Sequence, residues 1–225
     1  MTDWLEFWDD KAGTGNDFQT SGRGLMDVAG YLYTVAEVVR LLDLQQSESL
    51  ADIGCGPGLI TLSLAPWLSE IHAFDISPAL ARRAAENLSG VSNVCVEVGS
   101  LTAIPLGDAR VDKLLAYSVL QYLAGEDAVV AALGEVGRVL KPGGKALLAA
   151  NPDPARRFRY EEIVRARGGQ AAARELSLLD DLVWLTAERY VELATTQGLK
   201  ARVEPISMRI WQHFYMFDLV LEKAR

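Results

Sequence analysis

From residue 49 to residue 150, short apolar runs alternate with segments whose apolar residues recur at helical spacing. The apolar runs are 49–55, 71–76, 93–99, 111–119 and 145–150, and the helical segments between them are 59–68, 78–88 and 126–140. Nearly continuous apolar runs are typical of strands covered on both faces, and their alternation with helices indicates βαβ units and a parallel sheet. Because such crossovers are right-handed, we predict an open, doubly wound α/β sheet.

The segments on either side of this core predict helices and an insertion. Asp3 followed by Glu6 predicts the start of a short helix, and the apolar spacing over 31–42 predicts a second one. Residues 1–45 are therefore expected to form N-terminal cap helices. Residues 151–185 break the strand–helix rhythm, because a loop with two prolines is followed by a charged, alanine-rich stretch. We interpret 151–185 as an insertion that caps a substrate site.

The C-terminal region, 186–225, predicts a helix followed by a hairpin. Helical spacing covers 186–197 and is stopped by Gly198. Two strand-like runs, 200–205 and 211–221, follow without a crossover helix between them, so they are expected to pair antiparallel. The whole chain, 1–225, is therefore predicted to be one α/β domain with a mostly parallel, seven-stranded sheet that ends in an antiparallel strand.

Composition excludes several classes of function. Asp and Glu outnumber Lys and Arg by 30 to 22, and a net charge of −8 argues against a nucleic-acid partner. No apolar run approaches about 18 residues, so no membrane span or membrane partner is expected. The N-terminus has no basic, then apolar, leader pattern. Cys55 and Cys95 lie in separate strand-like runs and are expected as buried thiols, which predicts a reducing, cytoplasmic location.

Glycines 54, 56 and 58 lie between the first predicted strand and its helix. They let the backbone turn sharply and let a ligand approach, and the helix N-terminus behind them favours an anionic or polar group. A nicotinamide fingerprint would need its third glycine at the position of Leu59, so the spacing argues against a dinucleotide. Asp52 would also repel a pyrophosphate, but it would attract an ammonium or sulfonium group. Asp75 ends the next strand, where a carboxylate can accept both hydroxyls of a ribose.

Residues 52–58 resemble the first motif of the class I S-adenosylmethionine (SAM)-dependent methyltransferases, and Asp75 resembles their ribose-binding acid. Residues 112–123 are similar to the family's fourth-strand segment beside the methyl-transfer site, and 140–144 to the turn before its fifth strand. The resemblance covers residues 48–150, the SAM-binding core, and extends loosely to the C-terminal hairpin. It implies the Rossmann-like methyltransferase fold and SAM as the cofactor.

The resemblance also implies a set of contacts with each part of SAM. The methionine part would be approached by Gly54, Gly56, Gly58 and Asp52, the ribose by Asp75, the adenine by Ile76, Ser100 and Leu101, and the sulfonium by Tyr117 and Ser118. Many members carry an acidic residue at the position of Ser100. Serine can still donate or accept a hydrogen bond there.

Methyl transfer from a sulfonium is an in-line displacement, so the protein mainly supplies alignment and a dry cavity. A general base is needed only when the acceptor, such as a hydroxyl, must lose its proton. His72 lies inside the second predicted strand and is interpreted as structural. His213 lies at the start of the antiparallel strand, at the edge of the sheet where ligands bind, and is the candidate catalytic residue. No metal site is predicted.

The acceptor pocket is expected between residues 1–30 and the insertion at 151–185. Its candidate walls are aromatic side chains that lie outside the predicted sheet core, namely Trp4, Phe7, Trp8, Phe18, Trp184 and Trp211. Arg23 is a candidate for binding a carboxylate of SAM or of the acceptor. The sequence does not indicate an oligomeric state.

The predicted function is therefore methyl transfer from SAM to a small molecule, with a hydroxyl of a sugar or secondary metabolite as the expected acceptor. Two alternatives stay open. One is a non-catalytic binding or scaffold protein that keeps the same fold. The other is an aminopropyl transferase, which would need an acidic pocket for a polyamine, and no cluster of Asp and Glu follows the fourth predicted strand.

Overall fold

One sheet of seven strands runs through the computed structural model, which describes residues 2–13, 15–21 and 27–225. The strands are β1 (Ser49–Ile53), β2 (Glu70–Asp75), β3 (Val94–Val98), β4 (Val111–Tyr117), β5 (Leu140–Pro152), β6 (Leu199–Pro205) and β7 (Met216–Lys223). Their order is β3-β2-β1-β4-β5-β7-β6. Strands β1 to β5 are parallel, and β7 lies antiparallel between β5 and β6. The predicted fold class and the C-terminal hairpin are confirmed.

Nine helices of the described residues accompany this sheet. They are α1 (Trp4–Ala12), α2 (Asp17–Thr20), α3 (Val28–Leu42), α4 (Leu59–Leu64), α5 (Pro78–Asn87), α6 (Glu126–Val139), α7 (Arg157–Arg167), α8 (Gly169–Leu178) and α9 (Ala187–Thr196). Asp3 caps the N-terminus of α1, and its carboxylate accepts the N–H groups of Leu5 and Glu6. In the described part of the chain, no helix combines the length and the apolar character that crossing a membrane requires.

The central strands are buried on both faces, which explains their continuous apolar sequence. On β4, Leu114 and Ala116 belong to a core with α6 and α9, while Leu115 and Tyr117 belong to a second core with α3 and α4. Successive side chains of a strand point to opposite faces, so one run supplies both cores. The sheet is therefore doubly wound, as predicted.

The edge strand β3 differs from the sequence expectation. Three of its five residues are exposed, and Cys95 is an exposed free thiol, whereas Cys55 is buried. The expectation of two buried thiols is wrong for Cys95 because β3 has a neighbouring strand on one side only.

Two strand boundaries also differ. β5 begins at Leu140 because Leu140 already pairs with Val111 before a shift in register. β7 begins at Met216, five residues later than predicted, because Trp211–Phe214 form a turn of 3₁₀ helix. The last turn before β7 lies at the same sheet edge as the ends of the parallel strands, since Met216 pairs with Pro152 at the end of β5.

Candidate functional site

The turn between β1 and α4 contains three glycines in the left-handed region of backbone conformation. Their φ angles are +72° at Gly54, +57° at Gly56 and +83° at Gly58. Residues other than glycine rarely adopt these φ angles, which explains why glycine occupies these three positions of the motif. The N–H groups of Gly54 and Cys55 donate to Phe74 O at 2.7 and 3.0 Å, so the turn is fixed against the end of β2.

The three glycines differ in their surroundings. A Cβ atom at Gly56 would meet no heavy atom within 4 Å, so the backbone there borders open space. A Cβ atom at Gly58 would lie 2.9 Å from Leu88 Cδ1, and one at Gly54 would lie 2.5 Å from Val119 Cγ2. Gly54 and Gly56 line a cavity, whereas Gly58 allows α4 to approach α5.

Asp75, at the end of β2, holds the turn from the other side. Its Oδ2 accepts the N–H of Gly56 at 2.8 Å, and its Oδ1 accepts the N–H of Ser77 at 2.9 Å. Each carboxylate oxygen keeps a further lone pair for a ligand hydroxyl. Burial raises the pKa of Asp75 above its ordinary value, although the N–H donors of Ser77 and Gly56 oppose the shift.

Asp52, which the resemblance implies as a contact of the methionine part of SAM, lies one residue before the end of β1. It is 2% exposed, and its Oδ2 accepts the hydroxyl of Thr61 at 2.6 Å. It is not among the described residues that line the cavity. Its carboxylate ties β1 to α4 and thereby supports the glycine turn from behind.

The cavity beside the glycine turn, called the first cavity below, has a volume of about 1020 Å³ including its solvent-filled mouth. Eight of the residues predicted to bind SAM line it, namely Gly54, Gly56, Asp75, Ile76, Ser100, Leu101, Tyr117 and Ser118. Gly58 does not line it. Ile76 is 47% exposed, and its side chain borders the opening. The hydroxyl of Ser100 lies 3.0 Å from that of Thr102. The structure therefore brings together the ends of β1, β2 and β4.

The N-terminal segment covers this cavity. Trp4, Leu5, Trp8, Thr20 and Ser21 all belong to its lining. The sequence predicted a cap in this region, and its placement over the ends of the strands comes from contacts with α5.

Two side chains anchor that cap. Asp9 on α1 accepts the hydroxyl of Ser77 and, at 3.1 Å, the N–H of Ala79, so it binds the N-terminus of α5. Arg83 on α5 pairs with Asp17 at 2.6 Å and donates to Ala12 O at 2.7 Å. These contacts hold α1 and α2 against α5, which begins shortly after Asp75.

A second cavity adjoins the first and has a volume of about 1670 Å³ including open space. Its aromatic lining comes from the N-terminal segment, the turn after β4, the insertion and the turn before β7: Trp4, Phe7, Trp8, Tyr122, Tyr160, Trp184, Trp211 and Tyr215. Five of the six aromatic residues that the sequence proposed as walls are in this set. The sixth, Phe18, packs edge-on against Tyr31 with ring centroids 5.3 Å apart.

Five residues line both cavities and are called the shared wall: Trp4, Trp8, Ser118, Tyr122 and Gln212. The rings of Trp4 and Trp8 stand edge-on to Tyr122, with centroids 4.8 and 5.3 Å away. Ser118 has a φ of +61°, which turns the chain sharply after β4. The two cavities thus meet beyond the ends of β1 and β4.

His213 does not line either cavity. The expectation that it begins a strand is wrong, because it lies in the 3₁₀ turn Trp211–Phe214. Its Nδ1 lies 2.9 Å from Ile210 O, and its ring stands edge-on to Phe214. The turn before β7 lies at the ligand-binding edge of the sheet, and it brings Gln212 and Tyr215, rather than His213, to the cavities.

Several lining residues were not identified from the sequence. Gln121 and Gln212 are 5% and 8% exposed, and the Oε1 atom of each is buried without a hydrogen-bond partner among the described residues. Lys11, Tyr160 and Glu175 line the second cavity. For Gln121 and Gln212 the available signal was position, because 120–122 lie shortly after β4 and 211–215 directly precede β7. In the described ranges, no three His, Cys, Asp or Glu side chains are grouped to hold a metal ion.

The sequence that forms the glycine turn and the first cavity has counterparts in known proteins. Residues 51–148 match the family model of a methyltransferase domain. The chain is 38% identical over 118 residues to an uncharacterized 37.1 kDa protein in transposon TN4556 of Streptomyces fradiae, which covers 50% of this chain and 32% of that protein. It is 30% identical over 114 residues to the sterol 4-C-methyltransferase strm-1 of Caenorhabditis elegans, covering 49% and 33%. The chain thus spans about a third of the length of these relatives.

The fold also has counterparts among solved structures. Phosphoethanolamine N-methyltransferase 1 of Haemonchus contortus, solved with phosphoethanolamine and S-adenosylhomocysteine, superimposes with a TM-score of 0.73. The match covers 97% of this chain and 48% of that one, and at 15% identity it shows the fold alone. Residues 51–148, which contain the glycine turn and Asp75 at the end of β2, therefore have the sequence of a methyltransferase domain of the class I SAM-dependent type.

Proposed function

We propose that this protein transfers the methyl group of SAM to a small-molecule acceptor bound in the second cavity. The observation that carries the proposal is the shared wall, whose residues border the first cavity on one side and the second on the other. An in-line displacement needs the donor carbon and the attacking atom in contact within one enclosed space. Two adjoining cavities at the ligand-binding edge of a doubly wound sheet provide that space.

The described residues of the first cavity fit SAM. The open space at Gly56 leaves room for the methionine part, because a Cβ atom there would have no neighbour to displace. Asp75 would accept the ribose hydroxyls with its remaining lone pairs, and Ile76 and Leu101 would enclose the adenine, with Ser100 at its edge. Tyr117 and Ser118 would lie below the sulfonium. SAM itself supplies the electrophilic methyl group.

The residues around the cavities would act mainly by alignment and by exclusion of water. The lining carboxylates among the described residues are Asp75 in the first cavity and Glu175 in the second. Glu175 accepts hydrogen bonds at its Oε1 from Tyr160 and, at 2.7 Å, from Arg167. The sulfonium leaving group needs no acid, and the aromatic shared wall keeps the reacting atoms dry.

The acceptor class within this proposal is a small molecule with an apolar face, such as a sugar or a secondary metabolite that carries a hydroxyl. Flat aromatic walls such as Tyr160 and Tyr215, which stack with centroids 4.5 Å apart, suit the face of a ring. The C. elegans relative is named for methylation of a sterol at carbon. Carbon acceptors therefore belong in the tests beside hydroxyl acceptors.

An aminopropyl transferase is less well supported. A polyamine acceptor would need several carboxylates, yet the described charged residues that line the second cavity are Lys11, Arg167, Arg174 and Glu175.

Ligand binding and turnover test the proposal separately. SAM and S-adenosylhomocysteine should raise the melting temperature of the wild type, and Asp75→Ala should abolish this shift. Asp127→Ala changes an exposed carboxylate on α6 and serves as the matched control. Transfer of a radiolabelled methyl group to sugars, hydroxylated secondary metabolites or sterols should then be detectable. Absence of any thermal shift would refute the cofactor site, and binding without turnover on the whole panel would favour the scaffold alternative.

A further inference from the structure

The second cavity is positively charged although the chain as a whole is acidic. Lys11, Arg167 and Arg174 line it together with one carboxylate, Glu175, among the described residues. The net charge of the whole chain is −8. A local excess of cations in such a chain concentrates anionic ligands at that place.

Two of these four groups neutralise each other. Arg167 donates to Glu175 Oε1 at 2.7 Å, and the hydroxyl of Tyr160 donates to the same oxygen. Three cations and one carboxylate give these four groups a net charge of +2, and the cations outside the Arg167–Glu175 pair are Lys11 and Arg174.

Lys11 stands on the aromatic side of the cavity. Its ammonium lies 4.7 Å from the ring centroid of Trp8 and 5.6 Å from that of Phe7, both of which line the same cavity. Burial lowers the pKa of Lys11, and the charge of Glu175 offsets part of this effect. An ammonium that has lost part of its hydration gains from a nearby anion.

Arg174 provides the second cation from another element. It lies on α8 in the insertion, its side chain is exposed, and its guanidinium forms no hydrogen bond or ion pair with the residues that the structure describes. A guanidinium offers paired N–H groups that match the two oxygens of a carboxylate or phosphate. Lys11 on α1 and Arg174 on α8 thus present cations from the two segments that enclose the cavity.

We infer that the methyl acceptor carries an anionic group, a carboxylate or a phosphate, which Lys11 and Arg174 bind while its apolar body packs on the aromatic walls. The inference rests on the proposed function for the identity of the ligand as acceptor. The anionic group would then determine which acceptor binds. It would lie away from the methylated atom, because that atom must reach the shared wall. Two cations suit one anionic group on a small molecule, whereas a polyanion would meet the acidic remainder of the surface.

Displacement of a fluorescent dye tests this inference without knowledge of the natural acceptor. 8-Anilinonaphthalene-1-sulfonate is anionic, and N-phenyl-1-naphthylamine has the same rings without the sulfonate. The wild type should bind the anionic dye more tightly. Lys11→Met and Arg174→Gln should each weaken its binding about fivefold and leave the neutral dye within twofold. Arg159→Gln removes an exposed arginine of α7 outside the cavity lining, and it should change neither dye.

Competition then identifies the anion. Both 1-naphthoate and 1-naphthyl phosphate should displace the anionic dye better than neutral 1-naphthamide, and the stronger of the two distinguishes a carboxylate from a phosphate. Ala171→Trp, which adds bulk to the lining of the second cavity, should weaken both dyes. Equal binding of the anionic dye by the wild type, Lys11→Met and Arg174→Gln would overturn the inference.

Titration with S-adenosylhomocysteine separates this result from the proposed function. Lys11→Met and Arg174→Gln should bind it as tightly as the wild type does, since neither residue lines the first cavity. A wild type that shows anion selectivity but no S-adenosylhomocysteine binding would refute the methyltransferase function, and it would leave the anion site established.

Discussion

At Gly56 an added Cβ would meet no heavy atom within 4 Å, whereas at Gly58 it would lie 2.9 Å from Leu88 Cδ1. Both residues have positive φ, so alanine strains the backbone at either position by about 1 kcal/mol or more. Gly56→Ala should lower the affinity for S-adenosylhomocysteine at least tenfold, because the methyl group enters the first cavity. Gly58→Ala should lower the free energy of unfolding further, by about 2 kcal/mol, because it also clashes with Leu88.

Urea denaturation and calorimetric titration separate these two effects. The folded Gly58→Ala protein is expected to keep its affinity within a few-fold of the wild type. An equal loss of affinity in both variants would show that the whole turn, rather than the open space at Gly56, determines binding.

Protonation of Asp75 should weaken cofactor binding. Burial raises the pKa of this carboxyl above its ordinary value of 3.8, so it gains its proton at a higher pH than an exposed aspartate would. The protonated form loses acceptor capacity toward ribose hydroxyls. The affinity of the wild type for S-adenosylhomocysteine is therefore expected to fall as the pH is lowered from 7 toward this raised pKa. In Asp75→Asn the affinity should be low at every pH, and a wild-type affinity that stays constant down to pH 4 would contradict the ribose role.

Sequence reasoning located some of these residues and misplaced others for a physical reason. The glycines and Asp75 follow from spacing, because the ends of adjacent parallel strands meet at one edge. His213 was assigned to that edge correctly, but its direction depends on the 3₁₀ turn that contains it. Asp52 lies one residue before the end of β1, and its side chain points to Thr61 on α4. The direction of a side chain at the end of a strand depends on the register of that strand in the sheet. The spacing of residues in the sequence does not give this register.

Strand β7 carries a buried carboxyl that should cost stability at neutral pH. Burial raises the pKa of Asp218 to about 6, despite the N–H of Ala150 that its Oδ1 accepts at 2.8 Å, and Glu37 adds to the shift while Arg40 opposes it. Between about pH 4 and 6 the folded chain therefore binds a proton that the unfolded chain lacks. The contribution of Asp218 to wild-type stability should therefore increase as the pH falls from 6 to 4, and it should be lost as the pH rises through 6.

Asp218→Asn removes this penalty and keeps an oxygen for Ala150 N–H. We expect the variant to exceed the wild type by about 2 kcal/mol in free energy of unfolding at pH 7.5, with the difference shrinking toward pH 4.5. Urea denaturation at both pH values measures it, and Asp127→Asn on the surface of α6 should show no such trend. A variant less stable than the wild type at pH 7.5 would mean that the ionised carboxylate stabilises β7.

One of the two anchors of the N-terminal cap is a side chain of α5. Arg83 pairs with Asp17 and donates to Ala12 O and, at 3.1 Å, to the hydroxyl of Thr20. Thr20 lines the first cavity, so Arg83→Met should loosen α1 and α2, speed amide exchange over 4–12 and weaken S-adenosylhomocysteine binding several-fold. The exposed neighbour provides the control, since Arg82→Met should leave exchange unchanged. Unaltered exchange in Arg83→Met would place the anchoring of the cap elsewhere, for example at Asp9.

At the scale of the whole molecule, the sheet was predictable and the cavities were not. Central strands buried on both faces leave a continuous apolar signal that survives in the sequence, as β4 shows. The second cavity instead joins α1, α8 and the turn before β7, which lie far apart in the chain. The aromatic residues of these segments indicated that the segments line a pocket. The place where the segments meet depends on long-range contacts, such as that of Asp9 with Ser77.

The shared wall should couple the two cavities. Trp4 and Trp8 each contact Tyr122, and all three line both spaces, so a ligand in the first cavity fixes walls that a ligand in the second also needs. S-adenosylhomocysteine should therefore increase the affinity for anilinonaphthalene sulfonate about fivefold, and the dye must increase the affinity for S-adenosylhomocysteine by the same factor. Trp8→Ala should reduce this factor toward one. Trp67→Ala alters a tryptophan that is 55% exposed and outside both linings, so it should retain the coupling. Two ligands that bind independently in the wild type would show that the shared wall is already rigid before either is bound.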